Sequence, residues 1–257
     1  VLFDAMRHAA VGGGKRLRPL LTVAAARLFG ISRDRALRAG AAIEAIHVYS
    51  LFHDDLPCMD DDDVRRGKPT VHKAFGEAAA VLAGDSLHAL AFGILAAPAT
   101  HEDPFVRSEL VFELARASGP SGMAGGQMMD LAAEGQSLDL AAITRLQQLK
   151  TGALIEYAVE ARCIRARLTP DARRPYRAYA RNIGLAFQIA DDLIDHAGDP
   201  RAAGKRTRKD AEAGKATFVS VLGPERAEQQ AKLLVDQAIE HLPDHGREAH
   251  LLRSRAG

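Results

Sequence analysis

Asp54, Asp55, Asp60, Asp61, Asp62 and Asp63 fall within ten positions, and Arg65 and Arg66 follow almost at once. A second acidic cluster, Asp191, Asp192 and Asp195, follows the apolar stretch that begins at Ile183. Like charges about 4 Å apart repel by roughly 4 kcal/mol near a protein surface. Side chains crowded in this way are easiest to tolerate with cations between them. Carboxylates without cysteine and with few histidines suit a hard, oxygen-seeking ion such as Mg²⁺ better than zinc. Magnesium in turn points to a phosphate-bearing substrate.

The first run is no calcium loop. Counted from Asp60, the position that needs glycine holds Arg65 and the one that needs glutamate holds Val71. Counting from Asp54 fails too, at Met59 and Arg65. Asp54 lies two helical turns from His47 on one face. Pro57 cannot donate to the carbonyl of His53, so the helix is expected to end there and let Asp60 fold back toward Asp54. A solvated acidic turn, or ion pairs with Arg65 and Arg66, would account for this run equally well on its own. Asp191 and Asp195 are one turn apart and share a face with Gln188, unless that helix end simply reaches water.

Cations also stand where a core should be. Lys150 interrupts the apolar row Ile143, Leu146, Ala153 and Tyr157. Turned inward it would need an anion, with the Thr151 hydroxyl beside it; the alternative is snorkelling to the surface. Gly12-Gly-Gly-Lys15-Arg16-Leu17-Arg18-Pro19 opens a helix, where free N–H groups with Lys15 and Arg18 could cradle a diphosphate. It is no Walker loop, because Arg16 follows Lys15 and no strand precedes it. Gly204-Lys205 and Gly214-Lys215 add cations on a stretch able to close over an anion.

The elements that must position these groups read as helices. Leu17, Leu20, Leu21, Ala24, Ala25 and Leu28 recur at helical spacing, as do Gly40, Ile43, His47, Ser50 and Asp54. Breaks are expected at Gly12–Gly14, Pro57, Gly67–Pro69, Gly119–Gly126, Thr169–Pro170, Gly198–Pro200 and Gly223–Pro224. The 257 residues, 47% hydrophobic and 26% charged, read as one all-α domain of about ten helices. A net charge of +1 without a basic stripe among aromatics leaves no expectation of nucleic acid. Cys58 and Cys163 match no metal or redox spacing and suit a reducing cytoplasm. The apolar run Ala89–Ala97 is too short to span a bilayer, so no transmembrane segment is expected. The chain opens on Val1, which leaves a preceding segment open.

Taken in order, Gly13–Pro19, His47–Pro69, Gly84-Asp85, Gly125–Asp130, Lys150-Thr-Gly152 and Phe187–Asp195 resemble the trans-isoprenyl diphosphate synthases. Among these the bacterial farnesyl synthases are most similar. The likeness covers nearly the whole chain, and the joint presence of the motifs makes it specific. It implies a bundle of helices around a central cavity over residues 1–257, with further residues expected at both ends, and a homodimer. It also implies about three Mg²⁺, with Mn²⁺ able to substitute, held by Asp54, Asp60 and Asp191 and supported by Asp55, Asp61 and Asp195. Arg65, Lys150, Thr151, Gln188, Lys205 and Lys215 would grip the allylic diphosphate. Lys15, Arg18, His47 and Arg66 would hold isopentenyl diphosphate.

The implied reaction ionises the allylic diphosphate, adds the double bond of isopentenyl diphosphate and releases a proton. Geranyl or geranylgeranyl diphosphate as product, or a silent subunit of a heteromeric synthase, are the alternatives. Chain length is expected to be set one turn or more below Asp54. Helical angle alone selects Ser50 there, while the resemblance selects Tyr49. Arg208 stands where relatives often have glycine, and the chain ends short of a basic tail that many of them carry.

Overall fold

The computed structural model describes residues 1–11, 13–14, 16–27, 32–133, 135–136, 138–198 and 216–242. Lys15, Lys205 and Lys215 lie outside the described residues, as does Arg208. The helices are α1 (Leu2–Ala10), α2 (Leu17–Arg27), α3 (Arg33–Asp54), α4 (Val71–Phe75), α5 (Glu77–Ala96), α6 (Pro104–Ser118) and α7 (Met123–Ala132). Then come α8 (Leu140–Gln147), a π-helix (Gln148–Gly152), α9 (Ala153–Arg165), α10 (Pro170–Ala197), α11 (Phe218–Leu222) and α12 (Pro224–His241). Between α3 and α4 the chain forms a small antiparallel hairpin, Val64–Arg65 against Lys68–Pro69.

Local chemistry starts these helices where the sequence directs. Asp103 accepts from the N–H of Phe105 ahead of Pro104, Asp139 from Ala142, and Thr169 from Ala172 ahead of Pro170. Each caps an N–H that would otherwise lack a partner. Gly198 closes α10 in the left-handed conformation, at φ 74°.

The core is built around α9, whose residues from Leu154 to Arg165 are buried except Glu156. It packs against α2, α6 and α10, while α3 packs against α2 and α5. Charge is buried here mostly in company, although the Arg165 guanidinium has no hydrogen-bond partner among the described residues and burial lowers it to about 10. Glu160 accepts from Arg177 and lies 3.7 Å from Arg173, and the Arg162 guanidinium sits over the Tyr176 ring at 4.4 Å. Removing one partner of such a set costs more than the set contributes. Helix α5 is long and apolar enough to cross a membrane by length and composition, with a mean hydropathy of 1.6. In this fold it lies against α3 and α6, and its outer side leaves Val81, Leu82 and Leu90 exposed.

Two departures from the sequence reading concern one place. The break expected over Gly119–Gly126 closes by Gly122, and Gly125 and Gly126 lie inside α7. The regular helix expected through Lys150 is a π-helix, wider by one residue per turn. Both follow from close backbone packing. A Cβ on Gly126 would stand 2.2 Å from the Lys150 nitrogen, and one on Gly184 would stand 3.3 Å from the Gly152 Cα. The π-helix is therefore clamped between α7 and α10. Gly126→Ala should destabilise the fold by about 1–3 kcal/mol, the usual cost of overpacking. Urea unfolding of the variant checks this, and an unchanged midpoint would show that the clamp yields freely.

Candidate active site

Helix α3 ends at Asp54, three residues before Pro57, and the chain then turns back on itself. The N–H of Asp60 donates to the carbonyl of Asp54 at 2.8 Å, and that of Asp62 to Asp55 at 3.2 Å. The expected return of Asp60 to Asp54 is thus made by backbone hydrogen bonds. Asp61 takes up φ 48° in this turn and Arg66 φ 54° in the hairpin, left-handed conformations unusual for residues with a Cβ. Arg16 does the same at φ 49°.

The cations fall into three groups. Arg65 donates to Asp55 at 2.7 Å and to Asp62 at 3.4 Å, so it braces the acidic turn and is engaged there. Lys150 donates to Asp130 at 2.7 Å, and its charge also reaches Asp54. The third group gathers beside His47. Arg66 lies on the glycine loop, with its Nη1 donating to the Gly13 carbonyl at 3.2 Å. Gly13 and Gly14 reach φ 85° and 97°, and any Cβ on Gly14 would stand 2.5 Å from the Arg66 guanidinium carbon. The positive φ calls for glycine at both positions, whereas the Arg66 guanidinium, at the end of a flexible side chain, could move aside. Arg16 pairs with Glu44 at 2.5 Å. Burial lowers Arg18 to about 10, opposed by Glu44 and Asp191, and its Nε has no hydrogen-bond partner among the described residues.

His47 is held neutral. Burial pushes it well below its ordinary value, and Arg18, Arg66, Arg65 and Arg16 push the same way. It can therefore offer one N–H without adding charge to the cationic side.

On the opposite wall, Thr151 donates to Gln188 Oε1 at 3.0 Å, and Gln188 Nε2 donates to Asp192 Oδ1 at 2.8 Å. The other Asp192 oxygen accepts the N–H of Phe218 at 3.0 Å. Gln188 thus ties the π-helix to the second acidic cluster through Asp192, one turn on, rather than through Asp191. Asp195 is buried on the same helix and Asp191 is half-buried. The charge of Asp191 reaches Arg18, which links the second acidic cluster to the cations beside His47.

The donor set fits a hard divalent cation. Burial raises the Asp54 carboxyl to about 6; Lys150 opposes the shift, Asp60 adds to it, Arg65 opposes and Asp55 adds. Burial also raises Asp55, against its bonds from Arg65. Carboxylates so disfavoured gain most from added positive charge. Among the described residues, the group with ligand atoms within 4.8 Å of one another is Asp61, Asp63 and His72. Asp63 there is already paired with Lys73 at 2.8 Å, which favours its charged form. Asp54, Asp60 and Asp191 stand wider apart.

Below Asp54 the two chain-length candidates behave differently. Ser50 turns its hydroxyl to the His47 carbonyl at 2.9 Å. The Tyr49 ring stacks edge-on against His88 at 4.8 Å, and His88 against Phe92 at 5.1 Å. Asp130 and Gln127 emerge as site residues without having been assigned a role in sequence. Asp130 holds Lys150, and the Gln127 amide nitrogen is buried without a hydrogen-bond partner among the described residues. Their signal was the Gly125-Gly-Gln-Met-Met-Asp130 stretch, whose glycine permits the approach of Lys150.

Residues 1–252 match the polyprenyl synthetase family. The chain is 47% identical to farnesyl diphosphate synthase of Escherichia coli over 243 residues, 93% of this chain and 81% of that enzyme. It is 60% identical to an FPP/GFPP synthase from Zymomonas mobilis of known crystal structure, with a TM-score of 0.91 over 99% of this chain and 87% of that one. A geranyltransferase from Helicobacter pylori, solved with magnesium and isoprenyl diphosphate, is 31% identical, with a TM-score of 0.88 over 98% and 86% of the two chains.

Mg²⁺ with pyrophosphate should raise the melting temperature of the protein. At a hundred times the dissociation constant the gain is about 2.7 kcal/mol. Scanning fluorimetry should show this shift in the native protein, its loss in excess chelator, and its near absence in Asp54→Ala and Asp191→Ala. A full shift in either variant would remove that residue from the cation site.

Proposed function

The chain belongs to the polyprenyl synthetase family, and from that premise we propose that it joins dimethylallyl or geranyl diphosphate head-to-tail to isopentenyl diphosphate, giving farnesyl diphosphate. One observation carries this reading. The mouth has two separate cationic sides, Lys150 facing Asp54 and the Arg18–Arg66 group around neutral His47, enough for two diphosphates. A terpene cyclase ionises one diphosphate and needs no second cradle. A silent subunit usually lacks one acidic motif, and both are present here.

Bound at the mouth, about three Mg²⁺ held by Asp54, Asp60 and Asp191 would draw charge onto the departing pyrophosphate. Asp55, Asp61 and Asp195 support them. Lys150 holds fixed positive charge beside the leaving group, and the Thr151–Gln188 bridge fixes the backbone that carries it. By resemblance Lys205 and Lys215 would serve the allylic diphosphate and Lys15 the isopentenyl diphosphate; all three lie outside the described residues. Arg18 and Arg66 hold the second diphosphate, to which His47 donates without competing charge. The allylic C–O bond breaks, and its electrons leave on pyrophosphate. The isopentenyl double bond forms the new C–C bond, and a proton passes to pyrophosphate. Apolar walls keep water from the cation.

The Tyr49–His88–Phe92 stack supports a product stop below Asp54, with Tyr49 as its uppermost ring. Burial, together with Asp54 and Asp85, also keeps the Tyr49 phenol neutral. A longer product is the second reading, favoured by the similarity to a synthase of FPP and GFPP. A homodimer is supported by the outward apolar residues of α5 with Phe105 and Phe112 on α6, 82% and 65% exposed. Two unpaired cysteines fit a reducing cytoplasm.

Incubation with dimethylallyl and isopentenyl diphosphates and Mg²⁺ should give farnesyl diphosphate, read by chromatography. Tyr49→Ala should move the product to geranylgeranyl diphosphate or longer. An unchanged product would place the stop elsewhere. Light scattering at micromolar concentration should report two chains per particle, and Leu82→Glu should shift it toward one. A monomeric native protein would overturn the dimer.

A further inference from the structure

A cavity of about 400 Å³ lies between α6, the π-helix, α9 and α10, and none of the residues assigned to metal, either diphosphate or product length lines it. That volume is in the range of small-molecule sites, about 300–1,000 Å³. Its apolar wall is formed by Ala117, Leu149, Ala153 and Leu185 with the Tyr157 ring, whose hydroxyl is committed to the Leu110 carbonyl at 2.9 Å.

The lining carries three glutamates and three arginines, but their pairing leaves one arginine open. Glu113 is paired with Arg116 at 2.5 Å, Glu156 with Arg181 at 3.0 Å, and Glu160 with Arg177. Arg145 lines the same cavity, is exposed, and has no ion pair or hydrogen bond among the described residues. Arg145 is therefore the lining cation without a carboxylate partner among the described residues, because Glu160 is taken by Arg177 from outside the cavity. An apolar wall with a single open guanidinium at its rim matches a small amphipathic anion, with an apolar body and a carboxylate, sulfonate or phosphate head.

The position gives such a molecule a route to the reaction. Of the five π-helix residues, Gln148, Leu149 and Gly152 line the cavity, while Lys150 and Thr151 serve the mouth. The clamp by Gly126 and Gly184 leaves this segment little freedom to shift on one side alone. Pressure on Leu149 and Gly152 is thus felt at Lys150.

We propose that this cavity is a regulatory site for a small amphipathic anion anchored on Arg145 and acting through the π-helix. The probe is 8-anilinonaphthalene-1-sulfonate, an aromatic body with one sulfonate, titrated onto the full chain with fluorescence detection. Saturating Mg²⁺ and pyrophosphate fill the reaction mouth. Expected is one saturable dye site per chain that persists with Mg²⁺ and pyrophosphate present, is retained in Arg145→Lys, and is weakened about tenfold or more in Arg145→Glu. Arg145 is exposed, so an unchanged melting temperature should confirm that both variants fold.

Loss of the dye on adding Mg²⁺ and pyrophosphate, or equal binding by Arg145→Glu, would overturn the site. Binding is read without turnover, so it stands or falls separately from the proposed reaction. In the prenyl-transfer assay the dye should lower the rate at saturating levels of both substrates in the native protein and not in Arg145→Glu. Binding with no change in rate would overturn the regulatory role.

Discussion

Bringing Asp54, Asp55 and Asp60 to the end of one helix sets burial first, and mutual repulsion after it, against the charged forms of Asp54 and Asp55. The helix dipole adds to the burden, because its negative end points the same way. Much of the surrounding architecture answers this constraint. Arg65 takes Asp55 and Asp62, backbone N–H groups fix the turn, and Asp54 is left raised to about 6 with Lys150 as its chief counter-charge. Burial leaves the Asp54 carboxyl disfavoured as an anion, a state that added positive charge would relieve.

The same reasoning explains why the cationic groups are held apart. Arg16, Arg18 and Arg66 would repel one another beside His47 if nothing intervened. Glu44 takes Arg16, the glycine loop wraps Arg66, and the imidazole remains neutral. Positive charge is thereby stored in advance, as electrostatic preorganisation requires, so little rearrangement is needed when an anion arrives. Burial makes that storage effective, and it lowers Arg18 to about 10 without discharging it near neutral pH.

Much of this was legible in the chain. Pro57 foretold the end of α3 and the return of Asp60, and the inward turn of Lys150 followed from the row it interrupts. What escaped the reading lay between elements distant in sequence. Periodicity placed Gln188 with Asp191 and Asp195, but the bond goes to Asp192, since three- and four-residue neighbours both share a face and the partner at Thr151 decides the rotamer. The π-helix was invisible because propensity does not encode an extra residue in a turn. It arises from the approach of Gly126 and Gly184, on two helices far from it in sequence. Asp130 was read as part of a motif, and only the fold gives it Lys150 to hold.

The left-handed conformations of Asp61 and Arg66 bear on how such a chain changes over generations. Each costs about 1 kcal/mol relative to a residue without a Cβ. Selection for folding alone would thus favour glycine at both positions, and a thermostability screen blind to turnover would drift the same way. Each replacement would relieve the backbone and remove one charged side chain, against the entropy that glycine loses on folding. Under the proposed roles of Asp61 and Arg66, a carboxylate and a guanidinium at these sites would be a standing trade of backbone ease for charge.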